Sequence, residues 1–238
     1  MKALLLNSGV GSRMGLLTEN SPKCMVPIGE GYTILSHQLK QLAKAGIREA
    51  VITVGPFAGK LMEYVAGLGL PLRIEYVHNP LYRETNYIYS MHLAADHLHD
   101  DILLLHGDLV LESGVLADLT ACEKSTVTVD STLPLEEKDF KAKIQAGRVK
   151  AVGVEFLGPD CAACQPAYFW RKDDFSAFMK AIAGFCERGR RREYAENAFN
   201  ANSDEIPLYP LELHGRLCSE IDNAQDLETV SRRFLQTL

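Results

Sequence analysis

The chain has 238 residues, of which 47% are hydrophobic and 24% charged, and its formal net charge is −6. This length is enough to bury a full core, and we expect one α/β domain over residues 1–238. The acidic charge argues against nucleic acid or a membrane as partner. No stretch reaches the roughly 18 apolar residues of a membrane span, and the start MKALLLNSG is too short for a signal peptide. These features predict a cytoplasmic protein.

The six cysteines are scattered along the chain and do not form the dense framework of a small secreted fold. Cys161 and Cys164 form a CxxC pair. A zinc site would need a second such pair, and a redox site would need the pair to open a helix. The sequence shows neither feature, which favours ordinary core or loop thiols.

The first predicted element is a buried parallel strand over residues 3–6, and a glycine-rich loop of about 25 residues follows it. Glycines allow a backbone to approach a ligand closely and to turn its N–H groups toward anionic oxygens. Arg13 and Lys23 add two cations to the same loop. The loop therefore predicts a triphosphate site.

Three other interpretations of the loop fit less well. In GVGSRMG the third glycine comes one position late for a dinucleotide fingerprint, and no acidic residue stands on a second strand about 20 residues on. A phosphate-binding Walker loop would place its lysine directly after the glycines, whereas Lys23 comes well after Gly15. A plain strand-to-helix turn needs only about two to six residues.

The pattern G-x-G-S-R, followed by Thr18 and by Ser21-Pro22-Lys23, resembles the signature loop of nucleotidyltransferases. These GT-A-like enzymes condense a nucleoside triphosphate with a phosphorylated small molecule and release pyrophosphate. The resemblance implies that Arg13 and Lys23 are catalytic and neutralise the triphosphate. It also implies a nucleotide-binding set, which comprises Leu6, Asn7, Ser8, Gly9, Gly11, Ser12, Arg13, Lys23, Asn86, Ser90 and Gly107.

Residues 33–77 predict a helix over 33–45, a strand over 50–54, a helix over 60–66 and a strand over 72–77. Strands that alternate with helices imply right-handed crossovers and a parallel sheet. The first half of the chain is therefore predicted to be half of a doubly wound fold, in which ligands bind at the carboxyl ends of the strands.

The segment 78–98 is predicted to be a turn followed by a helix, and it is rich in polar and aromatic residues. Asn79, Tyr82 and the run Asn-x-x-Tyr-Ser at 86–90 resemble the branch of the family that uses CTP with phosphocholine or 2-aminoethylphosphonate. By this resemblance Tyr82, Asn86 and Tyr87 bind the acceptor. The alternative is that Asn86 only caps the helix while the tyrosines pack.

Next, a predicted strand over 102–106 runs into Gly107-Asp108 and carries a carboxylate to the carboxyl edge of the sheet. Mg²⁺ binds one or two protein carboxylates together with phosphate oxygens and water. The resemblance makes Asp108 the first metal ligand. The alternative role is an N-cap, for which Ser113 is better placed.

A strand over 126–129 and a hairpin formed by the strand of Lys141 and Lys143 with residues 149–154 are predicted to extend the sheet. Lys143 could hold the acceptor's phosphoryl group, or these lysines could simply protect an exposed strand edge. A strand over 163–170 and a helix over 173–186 follow. In YAENAFN, Glu196 stands where the phosphocholine branch carries an acidic residue near its substrate amine. With Tyr194 and Phe199 beside it, this carboxylate is predicted to form an ammonium pocket, since aromatic faces with a counter-charge bind cations.

The last elements are a strand over 217–221 that enters Glu220-Ile221-Asp222 and a helix over 224–235. The resemblance makes Asp222 the second ligand of a Mg²⁺ cofactor and Glu220 an acceptor-binding residue. Asp222 or Asn223 could equally serve as the helix N-cap, and the two roles are compatible.

Together these patterns predict a Rossmann-like, doubly wound α/β fold with a mixed, mainly parallel sheet, a small β-hairpin and a helical acceptor-binding part. The leading hypothesis is a Mg²⁺-dependent cytidylyltransferase that joins CTP to 2-aminoethylphosphonate or phosphocholine. Asn7-Ser8 and the run 78–90 resemble phosphonate-pathway members more closely. The alternatives are a sugar 1-phosphate nucleotidyltransferase and a non-catalytic nucleotide-binding regulatory module. The nucleobase and the oligomeric state, including a homodimer, are left open.

Overall fold

The computed structural model describes residues 1–237 and contains thirteen strands and seven α-helices in these residues. The strands are β1 (Lys2–Asn7), β2 (Pro27–Gly29), β3 (Tyr32–Thr33), β4 (Glu49–Val54), β5 (Arg73–His78), β6 (Ile102–His106), β7 (Leu109–Leu111), β8 (Thr126–Asp130), β9 (Lys141–Gln145), β10 (Arg148–Gly153), β11 (Cys161–Trp170), β12 (Tyr209–Glu212) and β13 (Cys218–Glu220). The helices are α1 (Ile34–Lys44), α2 (Ala58–Gly67), α3 (Tyr87–Leu93), α4 (Ser113–Ala121), α5 (Lys172–Glu187), α6 (Ala195–Asn200) and α7 (Ala224–Leu235).

The centre of the main sheet is parallel, as the sequence predicts. β1 lies between β4 and β6, and β5 pairs with the outer side of β4, all in parallel register. Leu5, for example, pairs with Ile52 on one side and with Leu105 on the other. Both faces of β1 are covered, which explains why its residues form an unbroken apolar run instead of alternating with polar ones. The carboxyl ends of β1 and β6 are therefore neighbours.

The other side of the sheet is antiparallel. β11 runs antiparallel to β6, β8 and β9, and β9 and β10 form the predicted hairpin. Four short strands were not predicted from the sequence. β2 and β3 pair with each other, β7 pairs with β13 in a separate small sheet, and β12 pairs in parallel with β8. Segments of two to four residues carry too little periodicity to be recognised.

Helices cover both faces of the sheet, which is the doubly wound arrangement. One core cluster includes residues of α3, α5 and α6, with Trp170, Phe175, Phe178 and Phe199 packed together on that face. The other core cluster includes residues of α1, α2 and α4. Ile34, Val230 and Phe234 belong to a third, smaller cluster beside β7 and β13. The predicted mixed α/β fold is confirmed.

All six cysteines are free thiols. Cys161 and Cys164 both lie in β11, where residues three positions apart point to opposite faces, so the CxxC pair cannot act as one unit. Burial raises the pKa of the Cys164 thiol well above its ordinary value. Within residues 1–237, the helices lack the combination of length and apolar character that a membrane crossing requires.

Candidate active site

The glycine-rich loop leaves the carboxyl end of β1 and folds into two short 3-10 helices, Ser12–Thr18 and Lys23–Met25. Gly11 adopts a φ of 66°, a conformation that other residues rarely accept. A side chain at Gly11 would also press on Lys23 Cβ at 3.0 Å, while the Thr18 hydroxyl donates to the Gly11 carbonyl oxygen at 2.8 Å. These contacts fold the loop back on itself and bring Lys23 beside its start.

Lys23 joins two carboxylates that are far apart in the sequence. Its Nζ lies 2.6 Å from Asp108 Oδ2 and 2.6 Å from Asp222 Oδ1, and Arg13 Nη2 donates to the same Asp222 oxygen at 2.8 Å. Burial favours the neutral form of Lys23, but the charges of Asp108 and Asp222 outweigh it and raise the lysine pKa. For Asp108, burial is likewise outweighed, chiefly by the charge of Lys23, and the pKa of the carboxyl is lowered. Lys23 is therefore cationic and Asp108 is anionic.

The positions of the two aspartates follow from the sheet. Asp108 comes directly after β6 and Gly107, whose N–H donates to the Leu6 carbonyl oxygen at 3.1 Å. A side chain at Gly107 would overlap that oxygen and the Asn7 side chain, so only glycine permits this turn. On the other segment, Ile221 N donates to the Asp108 carbonyl oxygen at 3.0 Å. The two acidic segments are thus tied together by their backbones.

The alternative capping roles are also resolved by the structure. Asn223 caps α7, because its side chain accepts from the N–H groups of Gln225 and Asp226. Asp222 therefore remains free to face Lys23. Glu112, not Ser113, occupies the N-cap position of α4, and Asp108 takes no part in that cap. Asn86 does cap α3, since its side chain accepts from Tyr87 N at 2.7 Å, and it lines the cleft as well.

The chemistry of these donors fits a hard divalent cation. The carboxylates of Asp108 and Asp222 both contact the Lys23 ammonium. Two carboxylates with space for phosphate oxygens beside them are the ligands that Mg²⁺ prefers. Ligand atoms of His106, Asp108 and Glu220 also lie within 4.8 Å of one another. Because an imidazole suits softer metals better than Mg²⁺, the pair of Asp108 and Asp222 fits Mg²⁺ more closely.

These residues open into a cleft with a cavity volume of about 380 Å³. Its lining contains most of the site residues that the sequence predicts, which are Leu6, Asn7, Ser8, Gly9, Gly11, Ser12, Arg13, Lys23, Tyr82, Asn86, Tyr87, Gly107, Asp108, Glu220 and Asp222. Asn7 Nδ2 is buried and finds no hydrogen-bond partner in the part of the chain that the structure describes. It is a donor that a bound nucleotide could use.

Three predicted residues do not line this cleft. Ser90 is fully buried and does not reach the cleft. Its hydroxyl shares a hydrogen bond of 2.6 Å with Ser8 Oγ, so Ser90 supports the glycine-rich loop. Glu196 is also buried, and its two oxygens accept from the hydroxyls of Tyr87 and Tyr168. Lys143 lies away from the cleft beside Asp160, 3.6 Å from its carboxylate. The structure therefore does not bring Lys143 into the cleft with the other predicted residues, because the hairpin turns this strand residue toward a neighbouring acid.

The structure adds an aromatic cage that the sequence did not reveal. Tyr87, His106, Phe140 and Tyr194 all line the cleft and touch in cyclic order, with centroid distances of 4.9, 6.4, 5.1 and 6.0 Å around the ring. Their positions come from α3, β6, the start of β9 and the start of α6. Tyr87 and Tyr194 carried a sequence signal, whereas Phe199, predicted beside Tyr194, is buried in the core. His106 and Phe140 carried none, since an isolated aromatic residue on a separate element does not differ from a core residue.

Two acidic residues lie against this cage. Glu220 Oε1 is 3.0 Å from His106 Nδ1, and Glu196 Oε1 is 4.0 Å from His106 Nε2. Burial, followed by the charge of Asp108, raises the pKa of Glu220 to about 7. Burial favours neutral His106, yet its hydrogen bond to Glu220 and the surrounding carboxylates raise its pKa to about 8. Three carboxyl groups, those of Glu220, Glu196 and Asp108, therefore surround His106 at this end of the cleft, beside the aromatic faces.

Comparison with known protein families gives a match to the MobA-like NTP transferase domain over residues 3–236. A CMP-5'-(3-aminopropyl)phosphonate synthase of Streptomyces rubellomurinus is 36% identical over 131 residues, which span 55% of this chain and 21% of that longer protein. The choline-phosphate cytidylyltransferase of Streptococcus pneumoniae is 25% identical over 235 residues, which span 95% of each chain.

Solved structures agree on the fold. The structure of CTP:phosphocholine cytidylyltransferase from Streptococcus pneumoniae superposes with a TM-score of 0.79 at 22% identity and covers 98% of each chain. The inositol-1-phosphate CTP transferase of T. maritima gives a TM-score of 0.78 at 19% identity and covers 98% of this chain and 95% of that one. At these identities the likeness concerns the fold alone.

Proposed function

This chain belongs to the MobA-like NTP transferase family, and from that premise we propose that it is a cytidylyltransferase. The proposed reaction transfers CMP from CTP to the phosphonate oxygen of 2-aminoethylphosphonate, or to the phosphate oxygen of phosphocholine, and releases pyrophosphate. Two relatives that carry CMP or CTP chemistry in their names support the choice of nucleotide.

The observation that carries the proposal is the convergence of Arg13, Lys23, Asp108 and Asp222. These residues come from three separate parts of the chain and are linked by ion pairs of 2.6 to 2.8 Å. A triphosphate brings several negative charges that need cations in a fixed arrangement, and its metal ion needs carboxylates beside them. A regulatory module that only senses a nucleotide has no need of both aspartates.

The aromatic cage supports an acceptor that carries an ammonium group. Cations bind over aromatic faces, and the attraction is stronger where the site is partly desolvated and a counter-charge is near. Tyr87, Phe140 and Tyr194 supply the faces, and Glu220 supplies the charge at the cleft surface. A sugar 1-phosphate would instead need hydrogen-bonding side chains for its hydroxyl groups.

Glu196 takes a supporting role in this proposal, which refines the expectation that it contacts the acceptor. Both of its oxygens are already occupied by tyrosine hydroxyls. The Tyr87 hydroxyl is therefore turned inward to Glu196, which leaves the ring of Tyr87 in the cleft lining. Burial and the charge of Glu196 raise the pKa of Tyr87 well above its ordinary value, so its hydroxyl keeps the proton that it donates.

In the proposed mechanism an acceptor oxygen attacks the α-phosphorus of CTP in line. The new bond joins this oxygen to the α-phosphorus, the bond from the α-phosphorus to the bridging oxygen breaks, and its electron pair leaves on pyrophosphate. The attacking oxygen is already anionic, so no general base is required. Arg13 and Lys23 hold the phosphates in place and offset the charge that develops on them.

Asp108 and Asp222 are the residues that would hold Mg²⁺, which when bound polarises phosphoryl oxygens and neutralises part of their charge. The chain's own contribution is to keep the two carboxylates close together beside Lys23.

The proposal is tested by a pyrophosphate-release assay that crosses the four ribonucleoside triphosphates with 2-aminoethylphosphonate, phosphocholine and glucose 1-phosphate, in buffer with Mg²⁺. We expect activity with CTP and one of the two amines, and a kcat/KM with that amine at least about tenfold above that with glucose 1-phosphate, since a desolvated ammonium contact is worth roughly 2 kcal/mol. Preference for glucose 1-phosphate would identify a sugar nucleotidyltransferase. No turnover with any pair would contradict the proposal.

Lys138 is the side chain that we propose for the acceptor's phosphoryl group in place of Lys143. Lys138 lines the cleft two residues before Phe140 of the cage. Arg13 and Lys23, the other arginine and lysine side chains in the lining, are assigned to the triphosphate and the aspartates in this proposal. The Lys138 ammonium lies 3.8 Å from Asp226 Oδ1, a loose ion pair on a side chain that is 57% exposed. Such a pair is weak and can exchange for a substrate anion.

We expect Lys138→Ala to raise the KM for the acceptor about tenfold with little change in the KM for CTP, because one charge-assisted contact to the acceptor is lost. Lys143→Ala is the matched control and should leave both constants as in the wild type. Steady-state kinetics with each substrate varied in turn gives both values. An acceptor KM that responds to Lys143 and not to Lys138 would reverse this assignment.

A further inference from the structure

His106 lies at the centre of the acceptor end of the cleft. It is the last residue of β6, only 6% exposed, and it is a member of the aromatic cage. Its ring meets Tyr87 edge-on at 4.9 Å and Phe140 at 6.4 Å. The proposed transfer reaction assigns this side chain no direct task.

The nitrogens of His106 face the two acidic residues of this end. Nδ1 lies 3.0 Å from Glu220 Oε1, which is hydrogen-bonding distance, whereas Nε2 is 4.0 Å from Glu196 Oε1. Nε2 is buried and makes no hydrogen bond within residues 1–237. His106 therefore forms a hydrogen bond with Glu220 and not with Glu196, which accepts hydrogen bonds from other donors.

The two carboxylates differ in what they can still accept. Glu196 uses both oxygens for the hydroxyls of Tyr87 and Tyr168. The Glu220 carboxylate accepts a hydrogen bond from His106 alone within residues 1–237, and it does so through Oε1. Since Glu220 lines the cleft, its Oε2 remains available to a ligand.

Glu220 would not hold this position by itself. A glutamate side chain has three rotatable bonds, and the negative charges of Asp108 and Asp222 lie nearby and repel it. The β13 strand fixes only its backbone, through pairing with Leu109. A donor on a buried and immobile ring removes this freedom and selects one rotamer.

We infer that His106 is a positioning residue that fixes Glu220 Oε1, so that Glu220 Oε2 is presented to the ammonium group of the acceptor. The inference rests on the proposed function, because it concerns the amine that the proposed acceptor carries. It makes His106 a determinant of selectivity for amine-bearing acceptors over uncharged ones, through Glu220 and not by contact with the reacting atoms.

The test compares two variants with two ligands. His106→Phe keeps a ring against Tyr87 and Phe140 and removes the donor, whereas His106→Asn keeps an N–H donor close to the place of Nδ1. The ligands are 2-aminoethylphosphonate as substrate and ethylphosphonate, its analogue without the amine, as an inhibitor competing for the acceptor site. If phosphocholine is the better substrate, its neutral tert-butyl analogue replaces ethylphosphonate.

We expect His106→Phe to raise the KM for 2-aminoethylphosphonate about tenfold or more, with kcat and the KM for CTP within about twofold of the wild type. The inhibition constant of ethylphosphonate should stay unchanged, because this ligand has no group for Glu220. His106→Asn should recover most of the loss. Glu220→Gln should reproduce the effect, and adding His106→Phe to it should have little further effect, as for two residues that act through one contact.

Several results would overturn the inference. An unchanged KM for the amine in His106→Phe would remove His106 from acceptor binding, and an equal rise for both ligands would point to a general distortion of the cleft. Additive losses in the double variant would show that His106 and Glu220 act separately. If His106→Phe does not fold, His106→Asn and Glu220→Gln still test the inference. The His106→Asn protein must then bind the amine better than the Glu220→Gln protein does. Wild-type protein without turnover would contradict the proposed function instead.

Discussion

Asp108→Asn should reduce pyrophosphate release by about a thousandfold or more, because a carboxylate that holds a catalytic divalent ion contributes several kcal/mol to stabilising the transition state. The amide keeps the shape of the side chain and removes its charge. In the structure Asp108 Oδ2 lies 2.6 Å from Lys23 Nζ, and Asp222 lies at the same distance on the other side. The variant therefore leaves Lys23 with one anionic partner and leaves the ion with one carboxylate.

The loss should be in chemistry and metal binding, with the fold retained. Circular dichroism and a thermal melt report the fold, and titration with Mn²⁺ in the absence of nucleotide reports the metal site independently of turnover. Asp204→Asn is the matched control: Asp204 is exposed, pairs with Lys150 at 2.7 Å and lies outside the cleft lining. Wild-type rates in Asp108→Asn would rule out the metal assignment. If the Asp108→Asn protein is unfolded, the same measurement is made on Asp222→Asn.

Lys23→Met should lower kcat/KM for CTP by about a hundred- to a thousandfold, which is the usual loss when one preorganised charged donor to a reacting oxygen is removed. The Lys23 side chain is 14% exposed, and within residues 1–237 it alone forms ion pairs with both aspartates. Methionine keeps most of the length and the apolar stem and removes the ammonium. Without that cation the two carboxylates repel each other and the triphosphate loses a fixed positive charge.

For Lys23→Met we also expect an effect in the opposite direction, on metal binding, which distinguishes the loss of the ammonium from a loss of the fold. Because the ammonium repels a divalent cation, Mn²⁺ should bind Lys23→Met protein at least as tightly as it binds the wild type when no nucleotide is present. Lys150→Met is the control, since Lys150 pairs with Asp204 away from the cleft. Weaker Mn²⁺ binding together with an unchanged KM for CTP would show that Lys23 supports the aspartates only and does not contact the nucleotide.

The proposed roles assign Asp108 and Lys23 to the nucleotide end of one cleft, and Lys138 and His106 to its acceptor end. If Asp108 and Lys23 act on the nucleotide, their variants should impair turnover with every acceptor. If Lys138 and His106 act on the acceptor, their variants should change the KM for it and leave the KM for CTP unchanged. A variant of the first pair that affects only the acceptor, or the reverse, would contradict this division of the cleft.

The amino-acid sequence was sufficient to predict the fold class and to name the residues of the proposed nucleotide site. The apolar run of β1, the alternation of strands and helices, and the G-x-G-S-R loop are local patterns, and each is carried by residues close together in the chain. Lys23 and the aspartates could be named because each stands next to such a pattern: a loop, the end of β6 and the start of α7. The family match over residues 3–236 agrees with that interpretation.

The proposed acceptor end could be recognised only once the chain was folded. Tyr194 was predicted beside Glu196, but His106 and Phe140 are single aromatic residues on separate elements, and nothing in their neighbours shows that they meet Tyr194 around one space. Lys143 and Lys138 are similar lysines in the sequence, and the course of the hairpin decides that one pairs with Asp160 while the other lines the cleft. The physical reason is that local spacing sets a residue's secondary structure, whereas the direction of a side chain across the sheet depends on packing between segments that are distant in the chain.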